Sequence, residues 1–282
     1  MSTLFYHLEV FELGKETAIS WCDHTLNSWW GCVEVSPGCD HCYAKTLAER
    51  WGRQVWGVLA PRYFTKKGFN QALAWDAAAK KDGVRRRVFV QSMSDICEIL
   101  PEAHESKAEM DARRKDLFER IIPTCSNLDF QLLTKRVGNY SKVVPASWMS
   151  GEWPSNAWAG ISVVNQNEVD RDIPKLERLP APVRFLSVEP LISDVLLDDH
   201  LLHLHWVIIG GESGSQARSM VLGWAKDIVR ECAKWNVAVF MKQLGKIPIN
   251  REGVKHPISD SHGANIEEFP AILRVRQFPG DL

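Results

Sequence analysis

Trp206-Val-Ile-Ile-Gly-Gly-Glu-Ser213 runs through four bulky apolar residues and stops on two glycines, a carboxylate and a hydroxyl. A half-exposed strand alternates apolar and polar residues, whereas an unbroken apolar run suits a strand covered on both faces, as in a parallel sheet. The pattern recurs: Thr17 to Ser20, Arg87 to Gln91, Phe130 to Leu133, Ala157 to Ser162, Arg184 to Ser187 and Ala238 to Lys242 read as further strands. Tyr43 to Trp51, Lys107 to Ile122, Val164 to Glu177 and Leu222 to Trp235 read as helices. The last carries Ile228, Val229, Cys232 and Trp235 at helical spacing. Such alternation predicts an α/β fold with parallel strands, either a complete or partial (β/α) barrel or an open doubly wound sheet.

The polar residues that end each run favour the barrel. Ser92, Ser94 and Asp95; Thr134, Lys135 and Arg136; Ser162 and Asn165; Ser187 and Glu189; Gly210, Gly211, Glu212 and Ser213; and Lys242 and Gln243 all follow a strand. A barrel gathers such ends around one mouth, where an open sheet would spread them. The plainer alternative is that loops are polar everywhere. The expected organisation is one barrel domain over residues 1–245 and a C-terminal extension, 246–282, packed on its core.

The chain has 282 residues, 45% hydrophobic and 24% charged, which is ordinary globular composition. A formal net charge of -1 and a pI near 6.8 give no global field for nucleic acid or an anionic membrane. No leader pattern opens the chain and no apolar stretch approaches the ~20 residues of a membrane span. Seven unevenly spaced cysteines do not resemble a secreted disulfide framework, so the expected location is cytoplasmic.

Three of those cysteines, Cys32, Cys39 and Cys42, fall within eleven residues, separated by six and then two. Pro37 and Gly38 turn the loop tightly, and Cys42 stands where a helix begins, a place that favours thiolate. Three thiolates can hold three irons of a four-iron cluster and leave the fourth open; a zinc site needs a fourth ligand, for which Cys22, His24 and His41 are candidates. Spacing alone serves either metal. No G-x-G-x-x-G or G-x-x-x-x-G-K-[ST] motif occurs, so dinucleotide and P-loop readings lose their main support.

Cys-x6-Cys-x2-Cys followed by Tyr-Ala and a βα repeat resembles the radical S-adenosylmethionine superfamily. Ile19 to Asn27, Trp30 to Cys32, Ser36 to Ala44, Ser92 to Asp95, Leu132 to Arg136, Ser187 to Pro190, Val207 to Gly214 and Phe240 to Gln243 resemble, more narrowly, a phage-associated radical-SAM-like family, over about Thr17 to Gly245. The resemblance implies a [4Fe-4S] cluster on Cys32, Cys39 and Cys42. It also implies S-adenosyl-L-methionine on the open iron, reductive cleavage to a 5'-deoxyadenosyl radical, and a reductant protein such as flavodoxin or ferredoxin. The substrate it implies is a small molecule, nucleotide or nucleic-acid base, the last without help from net charge. The chain departs from the superfamily in its six-residue first spacing, in His41 where an aromatic residue is common, and in placing Gly210-Gly-Glu212 after a late strand.

Cofactor contacts are expected from Gly210 and Gly211, whose amides can approach a ligand, and from Glu212, which can accept from an ammonium or ribose hydroxyl. Ser187, Glu189 and Lys242 join them at neighbouring strand ends. Against this stand a simple strand-ending turn at Gly210 and solvated loop charges at Asp95, Glu98, Glu189 and Arg218. The basic stretch from Arg62 to Arg87 reads as a nucleic-acid contact or, at the end of the barrel away from the mouth, a solvated face. The alternative to an enzyme is a zinc-stabilised phage accessory or binding protein without redox catalysis.

Overall fold

The computed structural model describes residues 17–281, so the first sixteen residues of the expected barrel domain lie outside it. Its centre is one seven-stranded sheet, all parallel, in the order β1 (His24–Leu26), β4 (Arg86–Val90), β5 (Leu128–Thr134), β6 (Ala157–Ser162), β7 (Arg184–Val188), β8 (Trp206–Gly210) and β10 (Ala238–Gln243). Each strand pairs with the next one of the sheet in chain order, the sequence of a βα barrel and not of a doubly wound sheet, whose order reverses. Short pairs flank it: β2 (Trp29–Trp30) with β3 (Tyr63–Phe64), and β9 (Met220–Val221) with β11 (Pro248–Ile249). The helices are α1 (Tyr43–Arg50), α2 (Gln71–Asp82), α3 (Lys107–Asp116), α4 (Gln166–Glu177) and α5 (Leu222–Trp235), with shorter turns between.

Aromatic contacts show that the sheet curls. Trp21, beside β1, and Trp206, on β8, have ring centroids 6.1 Å apart although four strands lie between β1 and β8. At the usual strand spacing a flat sheet would hold them roughly 24 Å apart. The result is a half-barrel with two apolar layers. Val88, Phe130, Leu132, Ala159, Leu186, Val207, Ile209 and Val239 face outward into the main core with the helices, while Phe89, Trp158, Phe185, Trp206, Ile208 and Phe240 face inward with Trp21 and Cys22. Gly160 is required there, since a Cβ would stand 2.2 Å from the Phe185 ring.

Two elements and the basic stretch differ from the sequence expectation. Thr17 to Ser20 is not a strand; the chain turns there, with Cys22 N–H donating to Ile19 O at 3.3 Å, and the first strand is His24–Leu26. Three residues carry no alternation to read. The Ala-rich α2 lies within the basic stretch and is not among the expected helices; its C-terminus is closed by Gly83 at φ 68°. The arginines of the basic stretch are taken up within the fold: Arg62 is buried, Arg85 pairs with Asp129, Arg86 with Asp82 and Arg87 with Asp23, while Lys66, Lys67, Lys80 and Lys81 are exposed. Where the expected α4 is concerned, a reciprocal cap sets its start: Asn165 Oδ1 accepts from Glu168 N–H at 3.0 Å and Glu168 Oε2 from Val164 N–H at 2.9 Å.

The segment after Gly245 returns along the free edge of β10. Met241 N–H donates to Val275 O at 2.9 Å and Gln277 N–H to Val239 O at 2.8 Å, so the strand's outer hydrogen-bonding groups are satisfied. Phe278 packs on Trp206 and Phe240, and the Arg87 guanidinium lies 3.6 Å from its ring centroid, which bridges the barrel's open side at the aromatic end. Among the described residues no helix is long and apolar enough to cross a membrane.

Candidate metal and cofactor site

Period two along each strand makes the mouth polar. The inward positions run Trp158, Gly160, Ser162 on β6; Phe185, Ser187, then Glu189 on β7; Trp206, Ile208, Gly210 on β8. Large apolar groups therefore fill the N-terminal end and small or polar ones line the C-terminal end. On β10 the register breaks: Met241 pairs with Ile209 and Gln243 with Gly210, leaving Lys242 as an extra residue. A bulge of this kind re-aims a side chain. Lys242 Nζ lies 2.9 Å from Glu189 Oε1, and Ser187 Oγ donates to Glu189 Oε2 at 3.2 Å. Lys135 Nζ donates to Ser162 Oγ at 2.8 Å, and Ser162 Oγ to Glu189 O at 3.2 Å. Strands β5, β6, β7 and β10 thus share one polar chain.

The cysteine loop is laid across these ends. A Cβ on Gly38 would come within 2.8 Å of Val164 Cγ1, beyond β6, and 3.3 Å of Lys135 Cε, beyond β5. From the β8 side, Arg218 donates to Pro37 O at 2.9 Å and Asp40 Oδ2 at 3.1 Å, and its Nε donates to Glu212 at 3.1 Å. Glu212 Oε2 lies 3.0 Å from His41 Nδ1. Burial pushes the Glu212 carboxyl up, but Arg218 and His41 outweigh it and hold the group below the usual carboxylate range. Glu212 and Arg218 therefore clamp residues 37–41, a latch that no motif announces because its partners lie more than 170 positions apart.

The near end of the loop is fixed from below. Glu98 Oε1 accepts from Val33 N–H at 2.9 Å, and Glu98 takes a two-pronged ion pair from Arg62 at 3.0 and 2.9 Å with both side chains almost fully buried. Arg136 donates to Val33 O at 2.5 Å, to Asp95 Oδ2 at 2.8 Å and to Cys32 Sγ at 3.5 Å. Asp95 and Glu98 are 6% and 2% exposed, which overturns the reading of them as solvated loop charges. Gly57 N–H caps the Cys32 carbonyl at 3.0 Å.

Burial pushes the Cys32 thiol up to about 12 against the pull of Arg136. It raises Cys42 too, against the amides of Lys45 and Ala44 and the charge of Lys135. All three cysteines of the loop are free and half-buried. Among the described residues no three His, Cys, Asp or Glu side chains are gathered as they stand into a metal-holding group. The donor set nevertheless fits an anionic cluster: three thiols on one loop, with Arg136 and Lys135 supplying positive charge beside them. The other ligand candidates have these surroundings. Cys22 is buried in the inward aromatic layer with its Sγ donating to Ile19 O at 3.6 Å, His24 stacks on Trp75 at 4.4 Å, and His41 is held by Glu212.

Of the expected cofactor contacts, Ser187, Glu189 and Lys242 come together at the mouth. Gly210 is small because the Glu189 carboxylate occupies its Cβ position at 2.6 Å, and Gly211 because Leu244 O passes at 2.5 Å; a close crossing of chains explains both glycines. A cleft of about 330 Å³ bounded by Lys107, Arg114, Phe118 and Lys142, and another of about 430 Å³ bounded by Lys226, Arg230, Arg251 and Lys255, lie away from the cysteine loop.

Fold and site together define an α/β half-barrel protein with a clamped three-cysteine loop over its C-terminal mouth. The chain belongs to the family described as "Protein of unknown function (DUF5131)", which it matches over residues 16–270. No curated protein matches it. Among solved structures it is similar to a spore photoproduct lyase double mutant with bound AdoMet and dinucleoside spore photoproduct, at 9% identity and a TM-score of 0.43 over 78% of this chain. The chain spans 56% of that protein, a likeness too slight to bear on function.

Proposed function

We propose that this protein is a radical S-adenosylmethionine enzyme that holds a [4Fe-4S] cluster on Cys32, Cys39 and Cys42 and cleaves S-adenosyl-L-methionine reductively. One observation carries the reading: a loop bearing three free cysteines is tied over the mouth at which the polar ends of the parallel strands converge. When bound, the cluster supplies the electron that breaks a sulfonium C–S bond. The chain's own residues do the rest. Glu212 and Arg218 hold the distal half of the loop, and Glu98 and Arg136 the near half.

Lys242, aimed inward by the bulge, and Glu189 beside it offer a cation and an anion side by side, suited to a zwitterionic amino acid. The aromatic floor of Trp158, Phe185, Trp206 and Phe240 keeps water from entering beneath the mouth. The substrate is a small molecule or nucleotide, the electron comes from a flavodoxin- or ferredoxin-type protein, and the free cysteines support a reducing, cytoplasmic location. The test is anaerobic incubation with S-adenosylmethionine and dithionite. Formation of 5'-deoxyadenosine is expected from the wild type and not from Cys39→Ala; none under several reductants refutes the reading.

A further inference from the structure

We propose that Arg136 is the positioning residue for the first cluster ligand: its guanidinium fixes Cys32 and donates a hydrogen bond to the cysteine sulfur, and so sets the reduction potential of the cluster. The inference rests on the three-cysteine reading above and assigns the part that one side chain plays in it.

The argument for a role beyond structure comes from what Arg136 is not needed for. Glu98 is neutralised without it, since Arg62 takes both carboxylate oxygens at 3.0 and 2.9 Å and Val33 N–H adds a third donor; Arg136 approaches Glu98 only to 3.7 Å. Asp95 likewise has three other donors, Thr134 Oγ1 at 2.6 Å, Cys97 N–H at 2.9 Å and Lys135 N–H at 3.1 Å. Val33 O accepts from Arg136 at 2.5 Å and also from Cys32 Sγ at 3.4 Å, whereas the donor to Cys32 Sγ itself, at 3.5 Å, is Arg136. Its side chain is 12% exposed, so the charge acts with little screening by water.

A planar fork anchored by one carboxylate can grip the backbone after Cys32 and its sulfur at once, which a lysine ammonium cannot reproduce in the same geometry. Thiolate ligands gain negative charge when a cluster is reduced, so a hydrogen bond and a cation at one sulfur stabilise the reduced state more than the oxidised and raise the potential. Cys42 faces the amides of α1 and the Lys135 charge instead. The three ligands are therefore not equivalent, and Cys32 carries the charge-assisted contact.

The experiment compares the full-length wild type, Arg136→Gln and Arg136→Lys after anaerobic reconstitution, by iron and sulfide content, by EPR of the reduced cluster and by potentiometric titration. Arg136→Gln is expected to load with wild-type iron and sulfide but to show, at a fixed potential, a reduced-to-oxidised ratio about tenfold lower, equal to a negative shift of about 59 mV for one electron. Arg136→Lys, which keeps charge and loses the fork, is expected to shift less and to alter the EPR line shape. An unchanged midpoint in a fully loaded Arg136→Gln protein overturns the proposal; if that variant does not fold, an Arg136→Lys protein with wild-type midpoint and spectrum overturns it. A wild type that takes up no iron or sulfide overturns the three-cysteine reading itself, and this assignment with it.

Discussion

Glu98 and Arg62 illustrate how much of this site is held by single buried contacts. With side chains 3% and 0% exposed, neither charge has water to fall back on. Replacing Glu98 by Ala strands a guanidinium and is expected to cost ~3–5 kcal/mol, read as a lower urea midpoint with unchanged slope. Gly160→Ala drives a Cβ into the Phe185 ring and is expected to cost ~1–3 kcal/mol by overpacking. Asp23 sets a pH dependence far from the cysteine loop. Burial pushes its carboxyl up, but the Arg87 side chain and amide, the latter at 2.7 Å, together hold it below its ordinary value. A depressed carboxyl contributes stability above its unfolded pKa and loses it as pH falls through the folded one. Urea midpoints of wild type and Asp23→Asn are therefore expected to differ at pH 7 and to converge as pH falls through the folded-state pKa of Asp23, which lies below the ordinary carboxylate value.

At the scale of elements, the returning C-terminal segment and β10 act together. Trp206 touches Trp21, Trp158, Phe185, Phe240 and Phe278 and donates its indole N–H to Gln277 O at 2.8 Å. Trp206→Ala is expected to cost ~3–5 kcal/mol in equilibrium unfolding, a loss that a surface tryptophan such as Trp235 does not show. The buried strands β6, β7 and β8 were legible because nearly every residue in them is apolar, and the strand-end polar groups were legible as one mouth because parallel βα order brings them together. β1 was not, since His24-Thr-Leu26 is too short to show a period. Helix α2 is not legible because its buried face is only Ala72, Trp75 and Ala79 among further alanines, which leaves no bulky apolar stripe. The Glu212 latch and the bulge at Lys242 were illegible in principle: both arise from pairing between distant segments, which composition and spacing do not encode.

For the molecule as a whole, one architecture accounts for the arrangement. A curled parallel sheet sorts its inward residues into an aromatic floor and a polar mouth, and independent clamps from β4, β5 and β8 ends hold a cysteine loop across that mouth. The most direct test is metal analysis of anaerobically purified protein, joined to EPR of the reduced state before and after S-adenosylmethionine is added. The account predicts about four irons and four sulfides per chain, a spectrum that changes when S-adenosylmethionine meets the open iron, and loss of both in Cys32→Ala. Stoichiometric zinc without iron or sulfide, or a cluster whose spectrum does not respond to S-adenosylmethionine, would contradict it.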